Sequence, residues 1–161
     1  MTERLGHAAR VAIALGSNLG DRPAQLLEAI ARLNGVLTGL ARSAFHQTGP
    51  VGVPDPQPDY LNAAVVGETT TTARALLAAL QAIEHDMGRR RAHARAARTL
   101  DLDLILFGDA IIEEPGLTVP HPRFRDRVFV LAPLAEIAPD MVDPVTGLSV
   151  AALLSRLEPP R

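Results

Sequence analysis

The chain contains no cysteine and no lysine. Without thiols, disulfides, thiolate metal sites and cysteine nucleophiles are excluded. Without lysine, so are a Walker-type phosphate lysine and Schiff-base chemistry, and all 16 basic residues are arginine. Aromatic residues make up only 3% of the 161, so the core has to be built from Ala, Leu, Val and Ile. No apolar run approaches the ~18 residues of a membrane span. Arg10 interrupts the first apolar stretch, so no secretory leader is expected. A net charge of −2 gives no electrostatic basis for binding nucleic acid or an anionic membrane. The expectation is one soluble, cytoplasmic domain over residues 1–161, with residues 1–9 a frayed polar tail. At this size roughly 70% of the unfolded chain's surface can be buried.

The most informative stretch is Arg98-Thr-Leu-Asp-Leu-Asp-Leu-Ile-Leu-Phe107, which reads as a strand bounded by an Arg/Ala loop and by Gly108-Asp109. With side chains alternating faces, Leu100, Leu102, Leu104 and Leu106 share one face. Asp101 and Asp103 take the other, their Cα atoms about 7 Å apart on strand geometry. Two readings are open: an edge strand with two solvated aspartates, or a site for a hard divalent cation that relieves their repulsion. Directly upstream, Arg89–Arg98 packs arginines and His93 into a short segment that by itself reads as a solvated loop. Next to an acidic pair it fits a polyphosphate clamp, with metal on one side and guanidinium forks on the other.

The rest of the chain supplies the frame. Val11–Leu15 is a short buried strand, and Gly16–Pro23 a strand-to-helix turn with Asn18 or Asp21 as cap, its glycines lacking phosphate-loop spacing. Ala24–Leu33 is helical, with Leu26, Leu27, Ile30 and Leu33 inward, and stops at Asn34-Gly35. Leu40–Gln47 is a second strand, Thr48–Asp59 a proline-rich binding loop, and Tyr60–Val66 a third strand with the chain's one tyrosine. Thr72–Met87 is a helix capped by Thr72 and ended by Gly88. Downstream come a short strand at Ala110–Ile112, a helix over Asp126–Ala138 bent or broken at Pro133, and a closing helix at Ser149–Leu157. The order β-α-β-β-α-β predicts a ferredoxin-like α+β sandwich, mainly antiparallel, with a C-terminal helical extension. Both crossover helices then lie on one face, leaving the chemistry on the open face under long loops.

From Val11 to about Leu154 the chain resembles the 6-hydroxymethyl-7,8-dihydropterin pyrophosphokinase family of the folate pathway. The likeness is carried by Arg98–Phe107, by Pro58-Asp-Tyr-Leu-Asn-Ala-Ala64 and by Ala14-Leu-Gly-Ser-Asn-Leu-Gly20. Leu117-Thr-Val-Pro-His121 and Phe129-Val-Leu-Ala-Pro-Leu-Ala-Glu-Ile-Ala-Pro139 extend it in the same order. The resemblance implies pyrophosphate transfer from ATP to the pterin hydroxymethyl group, releasing AMP. It implies two Mg²⁺ ions on Asp101 and Asp103, and Arg91 and Arg98 as phosphate clamps completing the catalytic set. Gln81, Glu84, Leu104, Thr118, His121 and Arg127 would contact ATP, His121 alternatively marking a Pro-flanked structural turn. Thr48, Pro50, Tyr60, Asn62 and Phe129 would form the pterin pocket. A flat polar heterocycle suits aromatic faces and an amide that both donates and accepts, although Tyr60 and Phe129 also fit a core role. Small molecules are the implied partners, with the family monomeric or weakly dimeric.

One departure stands out. Where the family has an aromatic residue followed by Gly-Pro before the strand arginine, this chain has Ala96-Ala97 and is one residue shorter. Looser sealing over ATP and a raised KM for ATP are expected. The rivals are an RNA-binding sheet, disfavoured by the acidic charge and the missing sheet aromatics, a paralogue that binds without turnover, and an enzyme of the same mechanism on another heterocycle.

Overall fold

A computed structural model describes residues 4–18, 20–48, 60–89 and 100–157. Strand β1 (Arg4–Ser17) leads into α1 (Arg22–Leu33), then β2 (Thr38–Arg42) and β3 (His46–Thr48). β4 (Tyr60–Thr71), α2 (Ala73–Arg89) and β5 (Asp101–Phe107) follow. A hairpin of β6 (Ile112–Glu114) and β7 (Leu117–Val119), a 3₁₀ turn at Phe124–Asp126, α3 (Val128–Ile137) and α4 (Val150–Leu157) complete the chain. The main sheet runs β2-β4-β1-β5, with β3 also on β4 and every pairing antiparallel, which is the ferredoxin-like arrangement. No helix among the described residues is long and apolar enough to cross a membrane.

The local causes are readable. The Asp21 carboxylate accepts the Ala24 N–H at 3.1 Å and Pro23 sits in the first turn, so α1 starts where its cap stands. The Thr72 hydroxyl accepts the Ala75 N–H at 3.1 Å and starts α2 in the same way. Leu26, Ile30 and Leu33 of α1 and Leu76, Leu80 and Ile83 of α2 pack on Val11, Ile13, Leu15, Ala63 and Val65 of the sheet. The opposite face is alanine-rich, with Ala12, Ala14 and Ala64. There the sheet meets Phe124, Leu131, Leu134 and Leu153 of the C-terminal segment. Small side chains on that face let α3 lie close, which is how a chain poor in aromatics fills a second core.

Several expectations change. Residues 4–9 belong to β1 rather than to a frayed tail, because the strand continues along β4 as far as the Arg4–Thr71 pair. Leu27 is half exposed, since the stripe of α1 is completed by Ala29 instead. α2 runs through Gly88 to Arg89, so Gly88 is not its terminus. The Leu40–Gln47 strand is split at residues 43–45. The short strand near Ala110 is a hairpin instead, turning at Pro115-Gly116, where Gly116 takes φ +78°. α3 begins at Val128 and passes through Pro133 without breaking. The supposed open face is covered by α3 and α4 at the end that carries Ala12 and Leu106, which leaves only the other end free.

A buried ion pair ties down the C-terminal segment. Asp143, fully buried, accepts Arg125 Nε at 2.6 Å and Nη2 at 3.0 Å, the Thr146 hydroxyl at 2.7 Å and the Val145 N–H at 3.0 Å. Burial alone would raise this carboxyl, but Arg125, Thr146 and the Val145 N–H together hold it down at about 2.

Candidate functional site

On β5, Asp101 faces Gly16 and Asp103 faces Ala14 across β1, so both carboxylates stand on the face opposite α1 and α2. Leu102 and Leu104 point into the helix-side core as expected, but Leu106 does not join them. The register shifts between Ile13–Leu104 and Ala12–Leu106, leaving Ile105 as an extra residue. This bulge turns Leu106 onto the other face and returns Phe107 to the helix side. It allows two aspartates and an apolar strand end to coexist in one seven-residue strand. The outer edge of β5 is held from α2: Glu84 Oε2 accepts the Leu102 N–H at 2.7 Å, between the two aspartates.

The other half of the site is on β4 and β3. Asn62 is buried, pairs with Gly16 from the opposite side of β1, and donates from Nδ2 to the Thr48 hydroxyl at 2.7 Å. Tyr60 lies one strand repeat further, on the same face. Gly16 makes room for both: a Cβ there would stand 3.3 Å from Asn62 Oδ1 and 3.7 Å from Tyr60 Cδ1. Above them the start of α3 supplies the facing wall, with Arg127, Val128 and Phe129. Phe129 is 40% exposed, which excludes the core role, and the Arg127 guanidinium sits 5.5 Å from its ring centroid. The cleft between these walls holds about 630 Å³ and contains Thr48, Tyr60, Asn62, Asp101 and Asp103 together.

His121 stands beside this cleft. Its N–H bonds the carbonyl of the bulged Ile105 at 3.0 Å, which fixes the turn to β5. Its Nδ1 accepts the Arg123 N–H at 3.1 Å, so in the neutral ring Nε2 carries the proton. Burial pushes its pKa down; Asp103 works against this, while Arg127 and Arg123 add to it. At neutral pH the ring is therefore a neutral donor near Asp103.

The remaining candidates divide. Leu104 has its side chain buried on the far face of the sheet, so it presents no side chain to the cleft. Gln81 and Thr118 are exposed, on α2 and β7, and are not part of the cleft wall. Pro50, Arg91, Arg98 and the shortened Ala96-Ala97 loop lie outside the described residues. Sequence reading missed Gly16, Val128 and Val130 as lining residues. A glycine inside a strand next to a motif was the available signal for the first. Asp101 and Asp103 suit a hard cation: both ligands are carboxylates, and no group of three acidic or histidine ligands occurs among the described residues. Such a pair leaves coordination positions for phosphate oxygens and water, which is how Mg²⁺ is usually held.

Residues 12–139 match the family model described as 7,8-dihydro-6-hydroxymethylpterin-pyrophosphokinase (HPPK). A protein of Synechocystis sp., named 2-amino-4-hydroxy-6-hydroxymethyldihydropteridine pyrophosphokinase, is 41% identical over 149 residues, covering 91% of this chain and 75% of its own. A Methylorubrum extorquens protein of the same name is 40% identical over 152 residues, covering 93% and 94%. Among solved structures, Plasmodium falciparum HPPK-DHPS with pterin and p-hydroxybenzoate superposes with a TM-score of 0.72 at 16% identity. That likeness covers 96% of this chain but 43% of the Plasmodium chain, and it speaks to the fold alone.

Proposed function

The chain belongs to the 7,8-dihydro-6-hydroxymethylpterin-pyrophosphokinase family, and from this we propose that it transfers pyrophosphate from ATP to 6-hydroxymethyl-7,8-dihydropterin, releasing AMP. One observation carries the reading. Asn62 and Asp101 face the same residue, Gly16, from opposite sides of β1. At one strand spacing each, their Cα atoms are about 10 Å apart across the sheet. A pterin edge held by the Asn62 amide therefore brings its hydroxymethyl arm to the carboxylates.

The flat ring lies against Phe129 and beside Tyr60, and the buried amide recognises its edge. Thr48 holds the amide's Nδ2, which fixes the orientation of Asn62 and leaves Oδ1 to accept from the pterin. Asp101 and Asp103 would hold the two magnesium ions, which when bound neutralise the triphosphate and polarise the group transferred. Arg127, neutral His121 and the sequence-assigned Arg91 and Arg98 bind phosphate oxygens. The hydroxymethyl oxygen forms a bond to the β-phosphorus, the bond from that phosphorus to the oxygen bridging to the α-phosphate breaks, and AMP departs with that oxygen. The hydroxyl proton leaves to solvent, because the cleft offers no dedicated base among the described residues and this reaction class relies on positioning and charge.

The test is AMP release from ATP and Mg²⁺ with and without the pterin. AMP that appears only with the pterin, and falls at least about 100-fold in Asp101→Asn, is the expected result. Pterin binding without turnover would replace this reading with a non-catalytic paralogue.

A further inference from the structure

The cleft has two walls on different elements, the sheet at β3–β4 and the first turn of α3, and their separation sets the height of the slot. β3 reaches the slot through a second bulge. Arg42 faces Val65 while His46 faces Asn62, so residues 43–45 stand against only 63–64. A one-residue offset exchanges the two faces of a strand. Without it, His46 and Thr48 would turn into the helix-side core, and Phe45 would leave it.

Two side chains clasp this bulge. Ser43 Oγ accepts the Ala64 N–H at 2.9 Å and donates to the Ala44 carbonyl at 2.7 Å, taking the place of a backbone partner. Glu136, reaching from α3, accepts the Ala44 N–H on Oε1 at 2.9 Å and holds His46 Nε2 with Oε2. His46 is the register partner of Asn62. Glu136 lies two helical turns beyond Phe129, on the same face of α3, about 10 Å along the axis. From Ala44 to Thr48 the strand advances about 13 Å. The helix that lays Phe129 over the slot is thus pinned at its other end, through Glu136, to the bulge that delivers Thr48.

Resting on the functional reading above, we infer that Glu136 is a positioning residue for the pterin slot: it fixes slot height and Thr48 presentation without touching either substrate. Glu136→Ala is expected to raise the pterin KM about tenfold, since displacements of about an ångström carry costs of that order or more. The KM for ATP should rise clearly less than the pterin KM: Arg127 moves with α3, but the carboxylates on β5 are held independently, through Glu84 and the Ile105 bulge. Glu136→Gln keeps an oxygen for the Ala44 N–H and should restore most of the pterin affinity. Equal rises in both KM values, or no rise in either, would overturn the inference, as would failure of the glutamine variant to rescue. If the alanine variant does not fold, Ser43→Ala opens the same bulge from its other side and must show the same selective rise; a loss shared by both substrates overturns the inference. A wild type without pterin-dependent AMP release would remove the functional reading and this inference together, so the two failures separate.

Discussion

Gly16 has the least chemistry of any residue in the cleft and one of the strongest constraints. Asn62 and Asp101 flank it, and a methyl group there would press on the Asn62 amide oxygen at 3.3 Å. Gly16→Ala should therefore raise the pterin KM about tenfold by tilting the amide, in line with the cost of a compromised buried hydrogen bond. The ATP KM and the melting temperature should barely move, and steady-state kinetics with each substrate varied in turn checks this. At this scale the sequence was legible where chemistry follows local spacing. The two aspartates share a face because strands have period two, and Asn62 and Tyr60 share one for the same reason. It was not legible where partners are distant in sequence. Glu84 meets Leu102, Glu136 meets Ala44 and Arg125 meets Asp143 only because folding brings them together. Leu104, assigned to ATP by the resemblance alone, turns its side chain into the helix-side core.

The elements themselves were largely foreseeable from periodicity and caps: both crossover helices, the strands that bear the motifs and the closing helix. The bulges were not. A bulge leaves only one extra residue in an apolar run, and Leu104-Ile-Leu106 is apolar whichever residue is extra. Their effect is large, since one bulge serves each half of the cleft. Deleting Ile105 removes the extra residue, so Leu104, Leu106 and Phe107 keep their faces in a regular ladder, but the buried Ile105 side chain is lost from the second core and its carbonyl from the His121 N–H. Losing a buried isoleucine side chain costs about 2–5 kcal/mol. The expected outcome is a melting transition by circular dichroism that stays cooperative but moves down by several degrees, about 2–4 °C per kcal/mol. Wild-type melting after the deletion would mean that the second core repacks around the missing side chain.

Across the whole molecule, two cores share one sheet, and the second depends on the C-terminal segment staying in place. Asp143 is its fastening. Its carboxyl is held at about 2, well below the ordinary value near 3.9 expected in the unfolded chain. A depressed folded-state value stabilises above the unfolded pKa, so the contribution is complete above about pH 4 and is lost as pH falls toward 2. The gap corresponds to about 2–3 kcal/mol. Asp143→Asn should lower the melting temperature at neutral pH by several degrees, about 2–4 °C per kcal/mol for a chain of this size. It should also flatten the loss of stability between pH 4 and 2; an unchanged acid limb in thermal melts would show that other carboxylates govern it.

One further property follows from where the chain keeps its single tyrosine. There is no tryptophan, so the ultraviolet emission of the whole protein comes essentially from Tyr60, and Tyr60 forms part of the cleft wall. The molecule thus carries a built-in optical probe in this cleft and nowhere else. A heterocycle settling beside that ring will quench the only signal there is, so occupancy can be followed in unlabelled protein, while events elsewhere in the chain stay largely dark.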